Sequence, residues 1–208
     1  MYTNIKNLLF DFGGVIASLD KQQALSRFKE IGLDTIEDYL NEYRQSGIFL
    51  EYEEGKINDV EFYNAFRKLA GKDDISDDDI DSAWMAFITE VPAYKLELLE
   101  ELRKKYNVYL LSNTNPSIMK WAMSTDFSPA GKPLSHYFDK AYISYHIGHA
   151  KPDKGIYEHI IKDSGMNPAE TLFFDDGKAN IEAANQLGFQ TYLTDQDEDL
   201  RKVIELIK

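Results

Sequence analysis

Three uninterrupted apolar runs, Leu8-Leu9-Phe10, Val108-Tyr109-Leu110-Leu111 and Leu172-Phe173-Phe174, constrain this 208-residue chain more than any other feature. A short apolar run bounded by turn residues reads as a buried strand. Strands buried on both faces belong to parallel sheets, because the helices that connect them cover both sides. The intervals supply those helices. Ala93 to Lys105 leads to the second run, Asp153 to Lys162 precedes the third, and Ala179 to Leu187 precedes a strand at Thr191-Tyr192-Leu193. A loop after the second run leads to another expected strand around Ala141-Tyr142-Ile143-Ser144. Strands alternating with helices define an α/β fold on a parallel sheet.

Each run stops on reactive groups. The first ends in Asp11 and breaks into Gly13-Gly14, the second ends in Ser112-Asn113-Thr114-Asn115, and the third ends in Asp175-Asp176-Gly177. Open α/β sheets place their ligand crevices at these carboxyl ends. A charge there is costly to bury unless it is paired, bound to metal or chemically employed. Gly148-His149-Ala150-Lys151-Pro152-Asp153 adds a lysine just ahead of a helical pattern. A carboxylate nucleophile can split phosphoester hydrolysis into two displacements through an aspartyl-phosphate, and Asp11 fits that role. Gly13 and Gly14 leave room for phosphate to approach backbone N–H groups. Ser112 and Asn113 offer a hydroxyl and an amide to phosphoryl oxygens, and Lys151 offers a fixed positive charge.

Between the first run and Pro92 the pattern is helical throughout. Ala24, Leu25, Phe28 and Ile31 repeat at helical spacing, and Tyr39, Leu40 and Tyr43 continue in that style. Gly55 closes one segment, and Asn58 can cap the next, with Phe62, Phe66 and Leu69 on one face. Ser76 and Asp79 have the form of a capping box ahead of Ile80, Ala83, Trp84 and Phe87. No piece of this region reads as a strand. The acidic run from Asp73 to Asp81 lacks the Gly and terminal Glu of a calcium loop and is expected to be a solvated helix start.

Nucleophilic carboxylate, phosphate-binding Ser/Asn pair, lysine and acidic pair occur in the order of the four motifs of the haloacid-dehalogenase-like superfamily. The chain resembles that superfamily over essentially its whole length. Asp11-Phe12-Gly13-Gly14-Val15, Ser112-Asn113-Thr114-Asn115 and Phe173-Phe174-Asp175-Asp176 look like its sugar-phosphate phosphatase branch, which includes a glucose-1-phosphate phosphatase. The resemblance implies a Rossmann-like core of residues 1–16 and 91–208 with an inserted all-helical cap domain of residues 17–90. It also implies a magnesium ion held by Asp11, the Gly13 carbonyl and Asp176, with Asp175 behind them, bonded to a metal water or to Lys151. The implied substrate is a small phosphorylated metabolite of the sugar-phosphate class.

Two positions depart from the family pattern. Phosphatases of the superfamily usually carry an Asp two residues after the nucleophile as general acid and base, and here that residue is Gly13. The sugar-phosphate branch also has glycine there. A good leaving group, such as an anomeric 1-phosphate, needs less help, and Asp20, Glu53 and Glu54 are candidate substitutes. The residue before the lysine, often basic in relatives, is Ala150.

Composition narrows the alternatives. A formal charge of −13 opposes nucleic acid, where basic patches supply most of the affinity. It also opposes phosphate esters at long range, so a divalent cation and a few local cations must overcome it. No stretch is long enough to span a bilayer, and the opening residues lack a secretory pattern, so no membrane partner and a cytoplasmic setting are expected. His146 and His149 read as exposed loop residues, and Trp84 and Trp121 as packing. Two competing readings are a metal-free haloacid dehalogenase, against which the Asp pair speaks, and a catalytically weak member that binds a phosphometabolite or protein, which Gly13 keeps open.

Overall fold

The computed structural model describes residues 2–40, 45–196 and 198–207. In chain order the elements are β1 (Asn7–Phe10), β2 (Ser18–Leu19), α1 (Lys21–Glu30), α2 (Gly47–Glu53), α3 (Asp59–Ala70), α4 (Asp77–Met85), β3 (Ile88–Glu90) and α5 (Ala93–Leu102). They continue with β4 (Asn107–Ser112), α6 (Pro116–Ala122), β5 (Lys140–Ile143), α7 (Ser144–Ile147), α8 (Lys154–Ser164), β6 (Thr171–Asp175), α9 (Lys178–Gln186), β7 (Gln190–Leu193) and α10 (Leu200–Ile204).

The three apolar runs are the central strands of a five-stranded sheet ordered β5-β4-β1-β6-β7, parallel throughout. Side chains alternate across it. Leu8, Phe10, Val108, Leu110, Leu172 and Phe174 face α5, α6 and α10, while Leu9, Leu111 and Phe173 face α8 and α9. Two apolar layers thus sandwich the sheet, as an α/β fold requires. Phe10 and Phe174 stack across the β1–β6 pair at 4.6 Å between ring centres.

The helices between β2 and β3 have their own core. Phe28, Phe49, Phe62, Phe66 and Trp84 are buried together, with Phe28 edge-on to Phe49 at 5.7 Å and to Trp84 at 5.6 Å. Each such ring contributes about 2–3 kcal/mol of apolar burial. Asn58 and Glu61 close a reciprocal capping box at the start of α3, and Ser76 accepts from Asp79 N at the start of α4. Asp77, Asp78 and Asp79 occupy the first turn of α4, where the helix dipole favours negative charge.

Three local expectations are corrected. The helical region is bounded by a small antiparallel pair, β2 with β3, although no strand was expected there. Strands of two and three residues are too short for periodicity, and only their mutual pairing makes them. Tyr39 and Leu40 follow a 3₁₀ turn (Ile36–Asp38) instead of an α-helix, while Tyr43 lies outside the described residues. The expected loop after β4 contains α6, for which Asn115 supplies the cap and Pro116 the first turn. Among the described residues, no helix is long and apolar enough to cross a membrane.

Candidate active site

Asp11 follows β1 directly, Ser112 ends β4, and Asp175 ends β6, so register alone brings the three motifs to one edge of the sheet. Lys151 reaches this edge from the loop ahead of α8. Its Nζ lies 2.8 Å from Asp11 Oδ1 and 2.7 Å from Asp175 Oδ2, and it donates to the Leu111 carbonyl at 3.2 Å. Lys151 and Asp175 are buried, and Asp11 is 9% exposed.

Asp175 is fully engaged. Beside the lysine on Oδ2, its Oδ1 accepts from Gly177 N at 2.7 Å and Asn180 Nδ2 at 2.8 Å. Asp11 Oδ1 accepts from Phe12 N at 2.6 Å, which with Lys151 orients that carboxylate. Asp176 is exposed on the same edge. Its carboxylate lies over Gly14, where a Cβ would come within 2.0 Å of Oδ2, and Gly14 has a φ of +74°. The positive φ favours glycine, and a side chain there would displace the Asp176 carboxylate.

Burial raises the Asp11 carboxyl well above the usual range. Lys151 opposes that shift, while Asp175 and Asp176 reinforce it. Burial works against charge on Lys151 as well, but the Asp11 and Asp175 carboxylates outweigh it and hold the ammonium above its ordinary range. Asp176 is also raised, by desolvation at this edge and then by Asp175, against the pull of Lys151. One ammonium therefore faces three carboxylates whose oxygens lie within 4.8 Å of one another. A divalent cation would supply the missing positive charge, and an all-oxygen donor set suits a hard ion such as magnesium.

Ser112 is buried at the end of β4, its hydroxyl donating to the Asn113 carbonyl at 3.3 Å. The Asn113 side chain clamps the lysine loop, accepting from Lys151 N at 2.7 Å and donating to the Lys151 carbonyl at 2.9 Å. Much of its amide is thus engaged by main chain, where the sequence had offered it to phosphate. Ser144 pins the next residue by accepting from Thr114 N and donating to the Thr114 carbonyl, both at 3.1 Å. His146 and His149 are exposed.

A cavity of about 150 Å³ opens between this edge and the helical segment. Phe12, Leu19, Trp84, Phe87, Ile88 and Ile118 form its apolar walls, and Gly13, Ser112, Asn113 and Thr114 its floor on the sheet side. Gln45 and Glu53 enter from the helical side. Gln45 Oε1, Trp84 Nε1 and Thr114 Oγ1 are buried with no hydrogen-bond partner among the described residues. Buried polar atoms are ordinarily satisfied, so these three unpaired groups stand out among the residues lining the cavity. Sequence reasoning missed Asn180 and Gln45, and it read Trp84 as packing alone. Asn180, in the first turn of α9 after the Asp pair, was findable as a partner for a buried carboxylate; Gln45 carries no local signal.

These features are those of one hydrolase class, and the chain belongs to the haloacid dehalogenase-like hydrolase family, whose sequence model matches residues 5–188. It is an enzyme of that family. It is 45% identical over 203 residues, 98% of each chain, to the D-ribitol-5-phosphate phosphatase of Bacteroides thetaiotaomicron. A HAD-like family hydrolase of Porphyromonas gingivalis superposes with a TM-score of 0.93 at 40% identity, covering 97% of this chain and 96% of the other. A HAD family enzyme of Bacteroides thetaiotaomicron, solved as a variant with magnesium and inorganic phosphate, superposes with a TM-score of 0.91 at 41% identity, covering 96% and 98%.

Proposed function

We propose that this chain is a magnesium-dependent phosphatase acting on a small phosphorylated metabolite, a sugar or sugar-alcohol phosphate, through an aspartyl-phosphate on Asp11. The observation that carries this reading is the Asp11–Lys151–Asp175 cluster at the strand ends, with Asp176 within reach and a cavity alongside. Asp11, Asp176 and the Gly13 carbonyl would hold the metal, and magnesium bound there neutralises charge on the transferring phosphoryl group. The chain's own residues do the rest. Asp11 attacks phosphorus, Lys151 balances the charge of nucleophile and phosphoryl oxygens, and Ser112 and the Asn113 segment bind those oxygens. Asp175 positions Lys151.

Residues 17–90 are proposed as a cap domain over a core of residues 1–16 and 91–208, with the β2–β3 pair at its root. Gln45, Trp84 and Thr114, which line the cavity and each carry an unpaired polar atom, favour a hydroxylated leaving group. The named substrate of the Bacteroides phosphatase, a pentitol phosphate, has that chemistry. The proposed setting is the cytoplasm, where such metabolites are free in solution.

Phosphate release from a panel of pentose, pentitol and hexose phosphates, with magnesium and with a chelator, tests this reading. Turnover confined to the magnesium arm is expected. Release of halide from a haloacid without metal, with no phosphate released in either arm, would favour the dehalogenase reading instead.

A further inference from the structure

Cleaving an alkyl phosphate produces an alkoxide that must take up a proton, and a ribitol 5-phosphate is such an ester of a primary alcohol. The residue two beyond Asp11 is glycine and supplies none. Three carboxylates of the helical segment are candidates, and the structure separates them. Asp20 is exposed and caps α1, accepting from Gln23 N at 2.9 Å. Glu54 pairs with Lys56 at 2.6 Å. Glu53 is 5% exposed, and among the described residues it is the one carboxylate lining the cavity with Gly13, Ser112 and Asn113.

We propose that Glu53 is the proton donor to the leaving oxygen and then the base that activates water, an inference that rests on the phosphatase reading above. Its backbone is seated against the sheet domain on both sides. Tyr52 Oη lies 3.2 Å from Ser117 Oγ on α6, and Gly55 packs so closely on the Tyr145 carbonyl that a Cβ would come within 2.2 Å of the oxygen. Gln45 Nε2 donates to Glu53 Oε1 at 2.6 Å, which leaves Oε2 to carry the acid proton. Burial raises this carboxyl to about 8, against the pull of the Gln45 hydrogen bond and of Lys151, so the neutral acid prevails near pH 7.

The steps balance. An Asp11 carboxylate oxygen forms its bond to phosphorus as the ester P–O bond breaks, and the ester oxygen keeps the electron pair, takes the Glu53 proton and leaves as the alcohol. Glu53, now a carboxylate, removes a proton from water as the water oxygen attacks the same phosphorus. The bond from Asp11 to phosphorus breaks, phosphate and the Asp11 carboxylate are released, and Glu53 is neutral again.

The test compares Glu53→Gln with wild type on a pentitol 5-phosphate and on p-nitrophenyl phosphate, whose aryl oxide leaves without a proton. A positioned acid contributes about a hundredfold or more. We expect kcat/KM, which reads only the first displacement, to fall by that factor on the alkyl ester and by less than about threefold on the aryl ester. The kcat should fall on both, because hydrolysis of the aspartyl-phosphate is shared, and the retained kcat/KM on the aryl ester also reports an intact fold. Equal losses of kcat/KM on the two esters, or no loss on either, would overturn the proposal, as would a wild type that cleaves only the aryl ester. A wild type that cleaves neither ester would remove the phosphatase reading itself.

Discussion

Glutamine at position 53 keeps the side chain's shape and an oxygen for Gln45 to donate to, and it abolishes one titration. The pH dependence of stability therefore isolates that group. Folded, the Glu53 carboxyl sits at about 8, pushed up chiefly by burial; unfolded, it returns to about 4.5. A folded value above the unfolded one means that its contribution is complete below about pH 4.5. It is lost as pH rises toward about 8, because the unfolded chain releases its proton first. At about 1.4 kcal/mol per pH unit the whole interval is worth about 5 kcal/mol, and the part above about pH 6 is worth about 3 kcal/mol. Urea unfolding of both proteins at steps between about pH 6 and about pH 9 measures it. The glutamine variant should gain about 3 kcal/mol on wild type across that range and hold a constant lead beyond it. Curves that stay parallel within about 0.5 kcal/mol would refute a buried, neutral Glu53 near pH 7.

Three further outcomes are expected. Asp11→Asn should lose about a thousandfold or more in turnover while its thermal unfolding remains cooperative; activity within about tenfold of wild type would end the covalent reading. Asp176→Ala should bind magnesium at least about tenfold more weakly by isothermal titration, and equal affinity would move the ion elsewhere. Lys151→Ala leaves Asp11 and Asp175 facing each other without their shared ammonium, so denaturant unfolding should show a loss of about 3–5 kcal/mol, and an unchanged midpoint would contradict the burial of the triad.

Much of the sheet was legible because the local pattern and the fold agree. Leu8, Phe10, Val108, Leu110, Leu172 and Phe174 are apolar for one layer and Leu9, Leu111 and Phe173 for the other, so the runs show no polar alternation. Helix α6 is equally legible in Asn115-Pro116, a capping side chain followed by a first-turn proline. The β2–β3 pair was not legible, since its few residues become strands only on meeting each other across the helical segment.

Within the site, the sequence by itself determined which reactive groups exist and that they stand at strand ends. Buried strands must stop where charge begins, and parallel register then carries Asp11, Ser112 and Asp175 to one edge. Only the tertiary structure decided how they are arranged. Lys151 lies between Asp11 and Asp175, and Asn113 holds the lysine loop. The difference in setting among Asp20, Glu53 and Glu54 is also tertiary. Neighbouring glutamates are equivalent on paper, and burial separates them: Glu54 reaches Lys56, while Glu53 is walled into the cavity with Gln45 as its partner. Desolvation is a property of position in space, and no local pattern encodes it.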